Sequence, residues 1–184
     1  MIVGITGTDG AGKGAVVEYL VKQKGFTHYS GREFITAEIE ARNLPVSRPN
    51  MRLVANAMRK EKGKDVIVTS ALERQASEGK TDIIIESIRA MKEVETLHKN
   101  GGVLLAIDAN QQLRYQRISG RKSASDRVTF DEFIAQEALE MNDPDPNGMQ
   151  KADVISAADF TIMNDGSMSE LHRNVDVFLE RHYG

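Results

Sequence analysis

The sequence contains no cysteine, and this absence excludes both a disulfide framework and a thiolate metal site. It also fits a protein of a reducing compartment. No stretch approaches the ~20 consecutive apolar residues that a membrane-spanning helix requires. The N-terminal apolar run, Met1–Thr6, lacks the basic flank and the length of a signal peptide. We therefore expect a soluble cytoplasmic protein that has no membrane partner.

The chain also lacks a large excess of charge of either sign, since its net charge is −3 over 184 residues. This balance gives no indication of a nucleic-acid-binding surface, so we expect no nucleic-acid partner. No internal repeat, low-complexity tract or linker divides the chain, and its length suits one hydrophobic core. We therefore predict a single domain over residues 1–184, and leave both a monomer and a homodimer open.

Short apolar runs rich in Ile and Val alternate with longer amphipathic segments, a pattern typical of an α/β domain with a buried parallel sheet. Five runs are predicted as strands: Met1–Thr6, Phe26–Ser30, Asp82–Glu86, Val103–Asp108 and Phe160–Met163. Eight segments are predicted as helices: Lys13–Lys24, Arg32–Arg42, Asn50–Lys62, Val66–Glu78, Arg89–Lys99, Gln111–Ser119, Phe130–Asn142 and Ser167–His182. Val66–Leu72 is also compatible with a strand. Ligands of such sheets bind at the carboxyl ends of the strands.

A glycine-rich loop follows the first predicted strand and has the pattern G-x-x-x-x-G-K of a phosphate-binding loop. Its glycines allow backbone N–H groups to point inward at phosphate oxygens, and the following helix adds the positive end of its dipole. Lys13 is expected to bridge the terminal phosphates of ATP. The predicted ATP-binding residues of the loop are Gly7, Asp9, Gly10, Ala11, Gly12, Lys13, Gly14 and Ala15.

The loop lacks the Ser or Thr that usually follows the lysine and binds Mg²⁺, because Gly14 and Ala15 stand there. Since Mg²⁺ keeps several waters, a carboxylate can hold it through water instead. Glu86, at the end of the third strand, is the predicted metal residue. Asp108, at the end of the fourth strand, is the second candidate.

Three arginines, Arg114, Arg117 and Arg121, are spaced to form one stripe on a helix. A polar stretch with Lys122 and Arg127 follows. Such cations neutralise the charge of a phosphoryl group in transfer. We predict a mobile lid over about residues 111–128, with Arg117 and Arg121 directed at the phosphates. The alternative is a solvated basic helix face.

Arg89 is predicted at the start of a helix, where a cation opposes the helix dipole and therefore needs an anionic partner. That partner is either the phosphate of an acceptor or the carboxylate of Glu93, one helical turn further on. We favour the acceptor phosphate.

The G-K-G ending of the loop resembles nucleoside monophosphate kinases of the adenylate kinase type. The segment His28–Gly31 resembles their acceptor side. Ile85–Arg89 resembles their strand that ends in Asp-Gly before a phosphate-binding arginine, with Glu86 and Ser87 in place of Asp-Gly and with Arg89 matching the arginine.

The whole chain looks most similar to the nucleotide-kinase-like proteins related to dephospho-coenzyme A kinase. The resemblance includes I-R-x-x-x-E-V-E at Ile88–Glu95, T-x-x-E-F at Thr129–Phe133 and A-D-x-x-I-x-N at Ala158–Asn164. Dephospho-coenzyme A kinases usually carry Asp-x-Asp after the second strand, and Ser30–Glu33 does not match it.

The resemblance implies a P-loop NTPase fold of three α/β/α layers with a five-stranded parallel sheet, a lid and an acceptor-binding helical insertion at about residues 31–80. It implies an ATP- and Mg²⁺-dependent kinase whose acceptor is a nucleoside or deoxynucleoside monophosphate.

Asn164 would border the adenine or simply form a turn. Asp9 resembles an aspartate of thymidylate kinases that contacts the acceptor sugar; a base toward an acceptor hydroxyl and an Asp-Gly turn are the alternatives. A dephospho-coenzyme A kinase-like enzyme and a nucleotide-gated assembly ATPase also remain open.

Overall fold

The computed structural model describes residues 1–120, 129–143 and 148–182. The described strands are β1 (Ile2–Gly7), β2 (Thr27–Ser30), β3 (Ile83–Glu86), β4 (Val103–Asp108) and β5 (Phe160–Met163). The described helices are α1 (Lys13–Lys24), α2 (Gly31–Ala41), α3 (Arg48–Lys62), α4 (Val66–Glu78), α5 (Met91–Lys99), α6 (Gln111–Ser119), α7 (Phe130–Met141), α8 (Lys151–Ser156) and α9 (Met168–His182). Arg121, Lys122 and Arg127 of the predicted lid lie outside the described residues.

The five strands form one parallel sheet in the order β2-β3-β1-β4-β5. The sheet therefore confirms the predicted fold class. Because β1 lies in the centre, its carboxyl end is flanked by those of β3 and β4. The register pairs Ile5 with Glu86 on one side and Gly7 with Ile107 on the other. The glycine-rich loop thus starts at the middle of the edge where ligands of parallel sheets bind.

Alternating residues of each strand point to opposite faces of the sheet and build two cores. Ile84 and Leu105 belong to the core that α1 and α9 cover. Ile83 and Ile85 belong to the core that α4 and α5 cover on the other face. Burial on both faces explains why these strands are almost continuously apolar.

The predicted helices are present, and Val66–Glu78 is a helix rather than a strand. Four of its apolar side chains are buried in the core, and Gly79 ends it in the left-handed conformation. Helix α3 begins before the predicted Asn50, because the Ser47 hydroxyl accepts a hydrogen bond from the Asn50 N–H at 3.3 Å. Helix α8 was not predicted; it spans only six residues.

Helices α2, α3 and α4 form the connection between β2 and β3, over the range of the predicted insertion. Helix α2 packs on α3 and α4. Within the described ranges, no helix combines the length and the apolar character needed to cross a bilayer.

Candidate active site

The loop between β1 and α1 depends on three glycines in the left-handed region, with φ of 127° at Gly7, 82° at Gly10 and 104° at Gly12. A β-carbon at Gly7 would overlap the backbone oxygen of Ile107, and one at Gly12 would overlap the Asn164 amide. The sharp turn and the close approach of neighbouring chain therefore both require glycine. The loop has the form that the sequence motif predicts.

Lys13 begins α1 and folds back over the loop. Its Nζ donates to the backbone oxygens of Gly7 at 3.0 Å and Thr8 at 2.7 Å, and it lies 3.5 Å from Oδ1 of Asp9. Its side chain is 14% exposed. Burial is the main reason why the pKa of Lys13 falls to about 8. The ammonium group is thus held at the loop by two backbone oxygens and the Asp9 carboxylate.

Asp9 is bound by a second lysine that the sequence analysis did not identify. Lys151, at the start of α8, places its Nζ 3.3 Å from Oδ2 of Asp9 and 2.9 Å from Oε2 of Glu140. Burial alone would raise the pKa of Asp9, but the attraction of Lys151, Lys13 and Arg89 outweighs it and holds the pKa well below its usual range. Asp9 is therefore a carboxylate with three cations around it.

Lys151 itself is only 3% exposed. The available sequence signal was its place at a helix start, where a cation opposes the dipole and needs an anionic partner. Helix α8 spans only six residues and was not predicted, so the sequence did not mark Lys151 as a cation at a helix start.

Two arginines of α6 contact the loop from outside. Arg117 donates from Nη2 to the Asn164 backbone oxygen at 2.8 Å, and its Nη1 lies 3.4 Å from the Ala11 oxygen. Arg114 is buried, donates from Nη1 to the backbone oxygen of Asp9 at 3.3 Å and pairs with the carboxylate of Glu137 on α7. The structure therefore places Arg117 beside the loop, where its guanidinium donates to backbone oxygens, and its predicted contact with phosphate stays a prediction. Arg121 lies outside the described residues.

Asn164 is part of the loop's support. Its Nδ2 donates to the backbone oxygen of Ala11 at 2.7 Å, and its backbone N–H donates to the backbone oxygen of Asp108 at 2.7 Å. Residues at the carboxyl ends of β4 and β5 thus fix the loop from one side.

A cleft with a volume of about 880 Å³ opens next to the loop. Lys13 and Asp9 of the loop line it. Its lining also includes three arginines of the helices between β2 and β3, namely Arg32, Arg52 and Arg59, and the residues Glu86, Ser87 and Arg89 at and after the end of β3. At its mouth, Nη2 of Arg52 pairs with Asp143 at 3.0 Å. This volume is in the range of small-molecule sites.

The two carboxylates considered for Mg²⁺ have different surroundings. Glu86 lines the cleft, and its Oε2 lies 3.0 Å from Nε2 of His28, a residue to which the sequence gave no role. The hydrogen bond to His28 is the main cause that lowers the pKa of Glu86. Asp108 instead accepts hydrogen bonds from the Thr8 hydroxyl at 2.5 Å and the Ala109 N–H at 2.8 Å.

Only Glu86 of these two offers its carboxylate to the cleft. Among the described residues there is no group of three or more His, Asp or Glu side chains that would enclose a metal ion. One carboxylate beside the phosphate loop fits an ion that keeps most of its waters.

The structure distinguishes between the two anionic partners considered for the Arg89 guanidinium. The Glu93 carboxylate accepts from the backbone N–H groups of Arg89 at 2.7 Å and Ala90 at 2.9 Å, and so caps α5. Burial raises the pKa of Glu93. The Arg89 guanidinium places Nη1 3.0 Å from Sδ of Met149, a weak acceptor, and lines the cleft.

The chain resembles known proteins over its full length. The UPF0200 protein of Pyrococcus abyssi is 29% identical over 188 residues, which cover 98% of this chain and 96% of that protein. The UPF0200 protein of Pyrobaculum aerophilum is 28% identical over 177 residues, covering 95% and 94%.

Solved structures share the fold. TT1252 from Thermus thermophilus has a TM-score of 0.64 at 19% identity and covers 100% of this chain and 98% of its own. Shikimate kinase from Aquifex aeolicus has a TM-score of 0.57 at 16% identity, and the match covers 98% of this chain and 97% of the kinase chain. A gluconokinase from Sinorhizobium meliloti has a TM-score of 0.57 at 12% identity and covers 97% and 91%.

A family model described as AAA domain matches residues 3–143, which is most of the chain and includes the phosphate loop and the segment Glu86–Arg89. The chain therefore belongs to the AAA domain family, and it shares its fold with kinases of known structure.

Proposed function

We propose that the protein is an ATP-dependent phosphotransferase whose acceptor is a nucleoside or deoxynucleoside monophosphate. The observation that carries this proposal is that Lys13 of the phosphate loop and Arg89 line one cleft of about 880 Å³. A donor held by the loop and a second anionic molecule held by Arg89 would therefore meet inside it. The kinases among the proteins of similar fold support the reaction class.

The donor site would be the phosphate loop. Its N–H groups and Lys13 would hold the phosphates of ATP, and Asn164 would border the nucleoside side. In the transfer step, an acceptor oxygen bonds to the γ-phosphorus of ATP while the bond to the ADP oxygen breaks and ADP leaves with that electron pair. Arg117 and Arg121 would neutralise the charge that spreads over the transferred group.

Glu86 would hold Mg²⁺ through water, since the loop offers no hydroxyl at Gly14 or Ala15. Bound Mg²⁺ supplies positive charge to the phosphate oxygens of the donor. The chain's own contribution is the orientation of the Glu86 carboxylate by His28, whose Nε2 lies 3.0 Å away.

The charge state of Asp9 favours a phosphate acceptor over an alcohol. Lys151, Lys13 and Arg89 hold the pKa of Asp9 so low that it is a weak general base. An alcohol has to lose a proton during transfer, whereas a phosphate monoester, whose second pKa is near ~6, is already ionised at neutral pH. We therefore infer that Asp9 accepts a hydrogen bond from the acceptor's sugar and does not remove a proton.

The same proposal assigns roles to the two helical segments. Helices α2 and α3, within residues 31–80, would bind the acceptor, and residues 111–128 would form the lid. We further propose that the protein acts in the cytoplasm on this small molecule, as a monomer or homodimer, and without a nucleic-acid or membrane partner.

The test is ADP release from Mg-ATP with a panel of ribo- and deoxyribonucleoside monophosphates plus dephospho-coenzyme A, shikimate and gluconate. We expect one or a few monophosphates to accelerate ADP release by at least about tenfold, and Lys13→Met to abolish the effect. A response to dephospho-coenzyme A, shikimate or gluconate alone would show that the acceptor group is a hydroxyl and not the phosphate of a monophosphate. Bound ATP with no response in the whole panel would contradict the kinase and favour the assembly ATPase.

Replacing Arg89 with glutamine is expected to weaken the binding of the acceptor far more than the binding of ATP. Loss of a charged hydrogen bond to phosphate corresponds to a rise of roughly 10- to 100-fold in the acceptor KM, with the KM for ATP changed less than about threefold. Arg74→Gln is the matched control, because Arg74 is half-exposed on α4 and pairs with Glu78 at 2.7 Å. An acceptor KM equal to that of the control would remove Arg89 from the acceptor site.

A further inference from the structure

Ser87 has a backbone conformation that is unfavourable for its residue type. Its φ is 75°, and among the described residues Asn43 is the one other non-glycine residue with positive φ. Asn43 follows the end of α2, where asparagine often adopts this conformation. At position 87, serine lowers the folding equilibrium constant by a factor of roughly five or more compared with glycine.

The sheet imposes this conformation. The backbone N–H groups of Ser87 and Ile88 both donate to the Ile5 oxygen, at 3.1 and 3.2 Å, and the Thr6 hydroxyl donates to the Ile88 oxygen at 2.9 Å. The Ile88 side chain is fully buried. The turn between β3 and Arg89 is therefore fixed from three directions, and the unfavourable residue is kept in it.

The Ser87 side chain lines the cleft between Glu86 and Arg89. Within the described part of the chain its hydroxyl makes no hydrogen bond to protein. A β-carbon at Gly31 would lie 3.5 Å from the β-carbon of Ser87. Because Gly31 has no side chain, the Ser87 hydroxyl has room at the start of α2. Ser30 also lines the cleft, is 8% exposed and does not cap α2 with its side chain.

We propose that Ser87 is a specificity-determining residue whose hydroxyl donates a hydrogen bond to the acceptor beside the phosphate that Arg89 binds. This inference rests on the proposed function. The unfavourable backbone conformation is retained because glycine, which would relieve it, has no hydroxyl to offer the ligand. An acceptor with an oxygen or nitrogen lone pair at this position is then favoured over one that has a carbon there.

Two substitutions separate the hydroxyl from the backbone conformation. Ser87→Ala removes the hydroxyl and keeps the β-carbon, whereas Ser87→Gly removes both. With the monophosphate that gives the fastest ADP release in the wild type, both variants should show an acceptor KM that is raised about fivefold. The kcat and the KM for ATP should stay within about twofold.

Thermal unfolding gives a readout that is independent of catalysis. Ser87→Gly should raise the Tm by several degrees, because the backbone strain is relieved, while Ser87→Ala should leave it within about two degrees. Asn43→Gly is the control for the relief of positive φ outside the cleft, and its acceptor KM should match the wild type.

Two results would overturn the inference alone: an unchanged acceptor KM in Ser87→Ala, or a gain in Tm without a change of KM in Ser87→Gly. In either case the serine is merely tolerated. If the wild type neither responds to nor binds any monophosphate by calorimetry, the proposed function itself fails and this inference fails with it.

Discussion

Replacing Lys13 with methionine is expected to reduce phosphoryl transfer by about 10³-fold or more, with the fold retained. Among the described residues, the Nζ group donates to the loop oxygens of Gly7 and Thr8 and pairs with Asp9, so it stabilises no core packing. In the proposed function, its positive charge acts on the terminal phosphates of ATP. The measurement is ADP release with the acceptor selected from the panel, together with circular dichroism.

The matched control is Lys22→Met on the same helix. Lys22 is well exposed and pairs with Glu18 at 2.5 Å. Its substitution should change the rate by less than about twofold, since exposed ion pairs contribute little. If Lys13→Met keeps more than a tenth of the wild-type rate, the phosphate loop is not the donor site.

The same variant should remove a pH dependence of stability. The pKa of Lys13 falls from its ordinary 10.5 to about 8 in the folded protein, mainly through burial. Between these values the unfolded chain binds more protons than the native state, so wild-type stability rises with pH across this window. Relative to Lys13→Met, the wild type should gain about 1–3 kcal/mol between pH 8 and pH 10.5, and parallel urea titrations of the two proteins would measure it.

Replacing Gly7 with alanine is expected to destabilise the protein by at least about 3 kcal/mol and to abolish ATP binding. Gly7 has a φ of 127°, and a β-carbon there would overlap the backbone oxygen of Ile107 on the neighbouring strand. A backbone atom of a central strand cannot move away without disrupting the sheet. The free energy of unfolding from urea titration and the Kd for ATP from calorimetry would measure both effects.

Gly14→Ala is the control for this substitution. Gly14 lies in the same loop-and-helix segment, but a β-carbon there would have nothing within 4 Å and its φ is ordinary. We expect it to stabilise α1 by up to about 1 kcal/mol, in contrast to the loss of stability at Gly7. Equal effects of the two substitutions would show that steric fit at Gly7 does not determine the loop.

Local patterns were sufficient to predict the sheet and the position of the phosphate loop. Strands buried on both faces are almost continuously apolar, so Ile83–Glu86 and Val103–Asp108 stand out from the polar segments around them. The glycines of the loop are explained by their positive φ and by the nearness of Ile107 and Asn164. These features depend on residues that are close in sequence or on a strict periodicity.

The partners of the charged side chains could not be predicted in the same way. Asp9 and Lys151 are separated by more than a hundred residues, and their ion pair depends on how α8 packs against β1. The pairing of Glu86 with His28 likewise requires the register of β2 beside β3. Arg114 belongs to the same stripe as Arg117, yet it is buried against Glu137, because α7 covers one side of α6.

Ser87 shows a third limit of sequence reasoning. The replacement of glycine by serine is visible in the sequence, but the positive φ of Ser87 comes from the two hydrogen bonds to the Ile5 backbone oxygen. Only the paired strands reveal that this serine is in an unfavourable conformation.

The central claim is that phosphate passes from ATP to a second small molecule in the cleft, and tracing the label of γ-³²P-ATP tests it most directly. The protein is incubated with Mg-ATP and each monophosphate, and the products are separated by chromatography. We expect the label in a nucleoside diphosphate in a one-to-one ratio with ADP, and its loss in Lys13→Met. Label found solely in inorganic phosphate, whichever acceptor is present, would contradict the kinase and identify an ATPase.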